Sequence, residues 1–278
     1  MTSTADAHAQ EAFLRSFHAE RPAVTSETFG EGTSGDGRSS YRIVADLAAG
    51  ARRVVELGCG DGLLLELLAR TRDAADLAGV DLSPEALALA RRRPALAGAA
   101  LLEGRTQRLP FEDGSFDACV SHMALTLMAD VEQVAAEAAR VLVPGGLLVC
   151  ALGGGAAGGE AYELFASLLR RASADLPGER RVPRLGDART RTAEGMAEIL
   201  GPAGFDRLTW STARIDFGGP VERVWESMAG VYNMGPLPAT AVDGLRQAFL
   251  AGAAELAPPG GTVPCAMTMK FATARLRG

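Results

Sequence analysis

Five short apolar runs occur in the first 152 residues, each followed by a turn signal. They are Arg52–Gly58, Asp76–Leu82, Ala99–Glu103, Phe116–Ser121 and Leu147–Leu152. Runs of this length, bounded by glycine or proline, are typical of buried strands. Amphipathic segments between them, such as Leu63–Arg70 and Asp130–Leu142, predict helices. Strands that alternate with helices predict an α/β fold, with a doubly wound parallel sheet over residues 52–152 that is covered on both faces.

The segments on either side of this core have a different rhythm. Beyond it we expect helices at Ala161–Ala172, Thr192–Leu200, Val221–Val231 and Thr240–Leu256, and strands at Leu208–Phe217 and Cys265–Leu276. Before it, the pattern predicts two helices, Asp6–Ala19 and Ser39–Ala49. We therefore divide the chain into an N-terminal helical lid (1–50), the core (51–152) and a C-terminal part (153–278) that completes the sheet and adds covering helices.

Two glycine-rich stretches predict flexible connections. The first, Gly30–Gly37, joins the two N-terminal helices, and the second, Gly153–Gly159, follows the fifth strand. Glycine restricts the backbone least of all residues, so we expect both stretches to be mobile.

The composition is that of an ordinary globular protein. Of its 278 residues, 47% are hydrophobic and 22% are charged, which disfavours a disordered or fibrous chain. The most apolar stretch, Val141–Gly159, is interrupted by Pro144 and several glycines, so we expect no membrane span. The N-terminus lacks the basic cluster and apolar core of a secretion signal, which favours a cytoplasmic location.

Charge and cysteine usage narrow the class of partner. The formal net charge of -6 gives no general attraction for nucleic acid, so we expect a small molecule as partner. The four cysteines are far apart and none has a zinc-binding spacing, so we expect free thiols and no metal site. Nothing in the pattern indicates an oligomeric state.

The segment Glu56–Gly62 carries the most chemical information, because the first strand ends there in an acid and three alternate glycines. Glycines allow a tight turn and a close approach of ligand to backbone, and the next helix offers free N–H groups. The dinucleotide-binding pattern would require a glycine at Leu63, so a pyrophosphate site is disfavoured. A carboxylate repels a diphosphate, so Glu56 favours a cationic ligand.

A second acid, Asp81, ends the second strand. The carboxyl edge of an open α/β sheet is where ligands bind, and a carboxylate there can accept hydrogen bonds from both hydroxyls of a ribose. A helix cap or a surface charge is the alternative for Asp81 alone, but its combination with Glu56 and the glycines favours a ligand.

Four motifs, in order and at compatible spacing, now point to one family. They are Glu56–Gly62, Val80–Ser83, Leu109–Asp117 and Arg140–Gly146. With these motifs, residues 52–152 resemble the class I S-adenosylmethionine-dependent methyltransferases, in particular the type 11 group that includes the ubiquinone and menaquinone methyltransferases.

The resemblance implies a Rossmann-like sheet of seven strands with the last one antiparallel, a place that Cys265–Leu276 fits. It also implies S-adenosyl-L-methionine as cofactor. By position, the implied cofactor contacts are Glu56, Gly58, Cys59, Gly60 and Gly62 toward the methionine end, Asp81 at the ribose, Leu82, Thr106 and Gln107 around the adenine, and Ser121 at the end of the fourth strand.

One departure from the family pattern lies on the adenine side. Relatives usually read Gly-Asp-Ala before the Leu-Pro-Phe motif, whereas this chain has Gly104-Arg105-Thr106. An expected acid is therefore missing, and backbone groups or Gln107 would have to contact the adenine instead.

Histidine is the side chain best suited to accept a proton near neutral pH. His122 follows the fourth strand at the edge where the methyl group would meet an acceptor, and it is the first candidate for a catalytic base. Packing against the segment Met123–Met128 is the alternative role. His18, in the N-terminal lid, is the second catalytic candidate, with a surface position as its alternative.

Aromatic residues are the candidates for substrate contact. Tyr41 lies in the helix that enters the core, and Trp225, Met228 and Tyr232 recur at the spacing of one helical face. Ordinary packing is the alternative for each of them. The arginine-rich connector Arg170–Arg191 is typical of a solvated face, but beside a pocket it would bind a carboxylate or phosphate.

The leading interpretation is methyl transfer from S-adenosylmethionine to an oxygen, nitrogen or carbon atom of a small metabolite, secondary metabolites included. Positioning of the reactants would supply most of the catalysis, with a base needed only for weakly acidic acceptors. The alternatives are a cofactor-binding protein without transferase activity, an enzyme that uses the cofactor for a non-methylating reaction, and, weakest, an NAD-dependent oxidoreductase.

Overall fold

The computed structural model describes residues 4–71, 76–157, 160–258 and 261–278. Its helices are α1 Thr4–Glu20, α2 Val24–Phe29, α3 Ser40–Leu47, α4 Leu63–Thr71, α5 Pro84–Ala90, α6 Val131–Val141, α7 Glu160–Ser173, α8 Ala193–Leu200, α9 Val221–Met228 and α10 Ala239–Leu256. Its strands are β1 Arg53–Leu57, β2 Asp76–Asp81, β3 Ala100–Glu103, β4 Phe116–His122, β5 Leu142–Ala156, β6 Phe205–Asp216 and β7 Ala266–Leu276.

The strands form one sheet in the order β3-β2-β1-β4-β5-β7-β6. Strands β1 to β5 pair in parallel, and β7 pairs antiparallel with both β5 and β6. The predicted seven-stranded Rossmann-like sheet with an antiparallel last strand is therefore confirmed. The order reverses at β1, because β2 lies on one side of it and β4 on the other.

Side chains alternate between the two faces of the sheet, as the pleat requires. Val54 belongs to the hydrophobic core formed with α3, α4, α5, α7, α9 and α10 on one face of the sheet. Its neighbour Val55 belongs to the core formed with α6 and α8 on the other face. Both valines are fully buried. The near-continuous apolar runs of the sequence thus reflect strands with helices on both faces.

The N-terminal segment contains one helix that the pattern did not predict. Helix α2 is short and rich in β-branched residues, which are poor helix formers. Tertiary contacts anchor it, since Val24 and Thr28 are buried. The following loop, predicted to be mobile, pairs through Thr33 with Asp216 of β6 in an antiparallel bridge, so it is tied to the sheet.

The second predicted flexible stretch also differs from expectation. Strand β5 continues through Ala156, and Gly153 pairs with Met269 of β7. The expectation of a flexible stretch at Gly153–Gly159 is therefore wrong for residues 153–156, because hydrogen bonds to a long neighbouring strand outweigh the weak strand preference of glycine. Residues 158 and 159 lie outside the described residues.

Two further expectations concern the membrane and the thiols. Among the helices of the described residues, none combines the length and the apolar character that a bilayer crossing requires. The four cysteines are free and buried, as predicted.

We predict that Gly62→Ala destabilises the fold more than Gly114→Ala. Both glycines have a positive φ, +80° and +63°, so both substitutions introduce backbone strain of about 1–2 kcal/mol. At Gly62 the added methyl would also lie 2.7 Å from Leu96 Cδ1 and 3.0 Å from Ala90 Cβ, whereas at Gly114 it meets nothing within 4 Å. Urea denaturation should give a difference of about 1 kcal/mol or more between the two variants. Equal losses in the free energy of unfolding of the two variants would contradict this prediction.

Candidate functional site

The chemically active residues predicted from the sequence converge at the point where the strand order reverses. Strand β1 ends at Leu57, β2 at Asp81 and β4 at His122, and these three strands are neighbours. Their carboxyl ends therefore open into one crevice, the place where ligands of open α/β sheets bind.

The turn after β1 has the backbone geometry that its glycines permit. Gly58 and Gly60 have φ values of +73° and +51°, a region that other residues rarely adopt. A Cβ on Gly58 would lie 2.5 Å from Ala124 Cβ, so only glycine fits there. The backbone N–H of Gly58 donates to Val80 O at 2.8 Å, which ties the turn to β2.

Asp81 fixes this turn from the neighbouring strand. Its Oδ2 accepts the backbone N–H of Gly60 at 2.7 Å, and its Oδ1 accepts the backbone N–H of Ser83 at 2.8 Å. Each carboxylate oxygen can accept a further hydrogen bond. Asp81 thus shapes the loop and keeps acceptor capacity for a ligand.

Two clefts meet at this crevice and share Gly58 and Asp81. The larger one, the outer cleft, has a volume of about 280 Å³. Its lining includes His18, Gly58, Asp81, Leu82, Thr106, Gln107 and Met128. The outer cleft therefore brings together all the residues that the sequence analysis placed around the ribose and the adenine.

The smaller one, the inner cleft, has a volume of about 70 Å³. Its lining includes His18, Tyr41, Glu56, Gly58, Cys59, Gly60, Asp61, Asp81, His122 and Tyr232. Both predicted catalytic histidines and two of the three predicted substrate aromatics lie here.

Hydrogen bonds engage the two polar residues expected near the adenine. The side-chain amide of Gln107 donates to Ala129 O at 2.6 Å, and the hydroxyl of Thr106 donates to Met128 Sδ at 3.2 Å. In this conformation Gln107 and Thr106 therefore shape the wall of the outer cleft, and the amide oxygen of Gln107 keeps its acceptor capacity.

Glu56 is the least satisfied polar group of the site. Its side chain is 2% exposed, and Oε2 is buried without a hydrogen-bond partner. Burial, together with the nearby Asp61 and Asp81, raises the pKa of Glu56 well above its usual value. A carboxyl with one unpartnered oxygen, in a cleft lined by two further acids, is suited to a ligand that brings positive charge.

His122 is also buried, with one ring nitrogen engaged and the other unpartnered. Its Nε2 lies 2.8 Å from Ser40 Oγ, whereas Nδ1 has no hydrogen bond. The ring of Tyr41 stacks on the imidazole at a centroid distance of 3.6 Å, which fixes the ring plane. Burial lowers the pKa of His122 to about 3, so the imidazole is neutral at physiological pH.

Helix α1 covers the outer cleft. The guanidinium of Arg15 donates to Leu82 O at 2.8 Å and to Glu103 at 3.1 Å, and Glu11 forms an ion pair with Arg105. These contacts attach the helix to the ends of β2 and β3. A short polar or charged side chain in place of Arg15 would lose this attachment.

His18 connects α1 to the C-terminal segment. Its Nε2 lies 3.1 Å from the hydroxyl of Tyr232, and burial lowers the pKa of His18 despite the nearby Asp81. The ring of Phe17 packs on Tyr232 at 4.6 Å. Residues 214 positions apart thus meet over the crevice.

One network at the site was not found by sequence reasoning. Asp61, between the last two glycines of the turn, accepts a hydrogen bond from Ser26 of α2 at 2.8 Å and forms an ion pair with Arg93. Arg93 also pairs with Glu66 of α4. Asp61 was visible inside the glycine motif, but its partners come from segments whose approach only the fold defines.

Three predicted site residues lie outside the two clefts. Gly62 packs against α5, and Ser121 is buried and donates to Leu57 O at 3.0 Å. Trp225 packs in the core against Phe165 and Phe249, with centroid distances of 5.9 and 5.6 Å. Gly62, Ser121 and Trp225 therefore do not line either cleft, and for Trp225 the core position is the alternative noted above.

Comparison with known proteins identifies the domain that contains this site. Residues 55–150 match the family model described as methyltransferase domain. That range contains the glycine turn, Asp81 and His122. The chain contains a class I methyltransferase domain, and S-adenosyl-L-methionine is the cofactor of such domains.

Two relatives share this methyltransferase domain. The chain is 40% identical over 113 residues to the fatty-acid O-methyltransferase of Mycolicibacterium smegmatis. This match covers 39% of this chain and 41% of the relative. The chain is 38% identical over 112 residues to the demethylmenaquinone methyltransferase of Thermus thermophilus, which covers 39% of this chain and 51% of that protein. The matches thus span about half or less of each relative.

The fold of the chain also has a solved counterpart. It matches the crystal structure of the (4+2)-cyclase SpnF with a TM-score of 0.58 and 20% identity, over 97% of each chain. At this identity the likeness concerns the fold alone.

We predict that Glu56→Gln stabilises the ligand-free protein at neutral pH. A carboxyl whose pKa is raised on folding stays protonated in the folded state, while the unfolded chain loses the proton near its usual pKa of 4.5. Folding therefore becomes less favourable as the pH rises from about 4.5 through the folded pKa. Urea unfolding at about pH 7.5 and pH 4 should show a gain for Glu56→Gln at the higher pH only.

Glu132 provides a control with the opposite sign. Its pKa is lowered, chiefly by the hydrogen bond from Arg189, so Glu132→Gln should lose a small stabilisation at neutral pH and lose nothing at low pH. The idea fails if Glu56→Gln and Glu132→Gln change stability in the same direction at about pH 7.5.

Proposed function

We propose that this protein binds S-adenosylmethionine across the outer and inner clefts and transfers its methyl group to a small molecule. The observation that carries the proposal is the junction of the two clefts at Gly58 and Asp81, with the unpartnered Oε2 of Glu56 in the inner cleft. A ligand with a polar nucleoside at one end and positive charge at the other matches this distribution of groups.

The residues present fit the cofactor in three respects. Asp81 keeps acceptor capacity for ribose hydroxyls, the turn leaves open space beside Gly60 for the methionine part, and Leu82 and Met128 provide apolar walls for the adenine. Glu56 lines the inner cleft, where the cationic part would lie. Binding of positive charge there would favour the ionised form of Glu56.

When bound, S-adenosylmethionine supplies a methyl carbon that an acceptor's lone pair attacks as the carbon–sulfur bond breaks. The protein's main task is to hold the acceptor in line, a contribution that reaches about 7–11 kcal/mol in well-oriented reactions. The closed arrangement of α1 over the outer cleft, held by Arg15 and His18, would also exclude water from the reacting atoms.

We assign the proton acceptor to His122. For Nδ1 to accept a proton, Nε2 must carry the hydrogen and donate it to Ser40 Oγ, an arrangement that the 2.8 Å contact permits. A neutral histidine of low pKa is a weak base. It suits an acceptor hydroxyl or amine whose proton becomes strongly acidic as the methyl group bonds to it.

The small size of the inner cleft favours a second candidate function, cofactor binding without methyl transfer. A volume of about 70 Å³ holds roughly two water molecules and no organic acceptor. Methyl transfer therefore requires α1 or α2 to move outward to admit the acceptor. A metabolite screen by mass spectrometry separates the candidates. Methyl transfer gives a product that carries one additional methyl group, and a non-methylating reaction gives a product without it. Pure binding gives no product.

We predict that the protein binds S-adenosylmethionine and S-adenosylhomocysteine, and that Asp81→Asn weakens this binding at least about tenfold. The substitution removes the charge that strengthens hydrogen bonds from ribose hydroxyls, an effect of about 1.5–3 kcal/mol. Isothermal titration calorimetry measures both affinities. Asp243→Asn, at an exposed position of α10, is the matched control and should leave the affinity unchanged. If neither S-adenosylmethionine nor S-adenosylhomocysteine binds to the wild-type protein, the proposal is wrong.

We predict that His122→Ala lowers the turnover of a methylated acceptor by on the order of 10²-fold. Cofactor affinity, measured by calorimetry on the same sample, should change little, because the neutral imidazole is not among the groups assigned to hold the cofactor. The exposed Glu163→Gln in α7 serves as control. Normal turnover in His122→Ala with intact cofactor binding would reassign His122 to packing beneath Tyr41.

A further inference from the structure

A third cavity lies away from the crevice, between α7, the connector that follows it and the 3-10 turn Tyr232–Met234. Its volume is about 670 Å³, larger than either cleft of the candidate site. We call it the α7 cleft. Pockets of 300–1,000 Å³ with apolar walls and a few polar groups are typical of small-molecule sites.

The walls of the α7 cleft are mainly apolar. Leu169 of α7 and Leu176 and Val182 of the connector line it, and all three are only partly buried. Pro236 closes the opposite side. Such an arrangement leaves apolar surface that a ligand with an apolar body would cover.

Two arginines, Arg170 and Arg181, also line the cleft. The guanidinium of Arg181 donates to Leu176 O at 3.0 Å and to Ala174 O at 3.2 Å, which holds it along the connector. Among the side chains that the structure describes, which do not include that of residue 179, no acid forms an ion pair with Arg170 or Arg181. The chain as a whole carries a net charge of -6.

A buried polar atom lies in the same cleft. The hydroxyl of Ser173, the last residue of α7, is buried and has no hydrogen-bond partner. The side chain of Asn233 completes the polar lining. A hydroxyl, an amide and two guanidinium groups form a donor set that matches the oxygens of an anionic group.

We propose that the α7 cleft binds a small amphipathic anion, with its carboxylate or phosphate group on Arg170 and Arg181 and its apolar body along Leu169, Leu176 and Val182. Charge complementarity selects this occupant, since the cleft combines apolar walls with the positive charge of Arg170 and Arg181. The site is distinct from the crevice, and binding there does not depend on methyl transfer.

The location gives such a ligand contact with the cover of the crevice. Asn233 and Tyr232 are consecutive in the 3-10 turn, and Tyr232 lines the inner cleft and meets His18 of α1. A ligand in the α7 cleft therefore packs against the same turn that helps to close the candidate site.

The test uses calorimetric titration with five probes: decanoate, decyl phosphate, 1-decanol, acetate and inorganic phosphate. We expect the decyl anions to bind at least about tenfold more tightly than 1-decanol, and the small anions to bind weakly. The tighter of the two decyl anions identifies the anionic group as carboxylate or phosphate. Binding of 1-decanol as tight as that of decanoate and decyl phosphate, or no binding of either anion, would overturn the proposal.

Variants locate the binding. Arg170→Gln, at an exposed position, should weaken decanoate or decyl phosphate at least about tenfold, and Ala166→Trp should block the cleft. Arg207→Gln on β6 is the matched control, with a side chain that is 80% exposed. Thermal melting confirms that each variant is folded. Unchanged affinity in both Arg170→Gln and Ala166→Trp would place the ligand elsewhere and refute the assignment.

Discussion

The hydrogen bond from the backbone N–H of Gly60 to the carboxylate of Asp81 is the contact on which the site depends. It joins the turn after β1 to the end of β2, so that the two strands present one shaped edge. The turn can donate this bond only because Gly58 and Gly60 adopt a positive φ. The shared lining of the outer and inner clefts begins at these residues, and every assigned contact of the cofactor is placed relative to them.

The site concentrates negative charge in a buried place, which opposes folding. Glu56, Asp61 and Asp81 all line the inner cleft, and Asp61 is neutralised by Arg93. Glu56 forms no ion pair in the described part of the chain, and burial raises its pKa well above the usual value. A carboxyl that is unfavourable in the empty protein and favourable beside a cation is a common compromise between stability and ligand binding.

The cover over the crevice is built from segments that are distant in sequence. Helix α1 attaches to β2 and β3 through Arg15, and His18 reaches Tyr232 in the C-terminal segment. Helix α3 contributes to the deep burial of His122, because it places Ser40 and Tyr41 directly against the imidazole. The histidine is thereby oriented and kept neutral at once.

The order of strands and helices, the glycine turn and Asp81 could be predicted from the sequence, because apolar periodicity and local turn chemistry act over a few residues. The same local signals missed α2 and assigned flexibility to residues 153–156, where pairing with β7 prevails. The sequence also did not determine whether an aromatic residue such as Trp225 packs in the core or lines a cleft. Both positions give the same apolar periodicity along a helix. By itself, the sequence determined the sheet and the chemical character of its edge. Tertiary structure alone decided which side chains meet there, because contacts such as His18 with Tyr232 arise only when distant segments pack together.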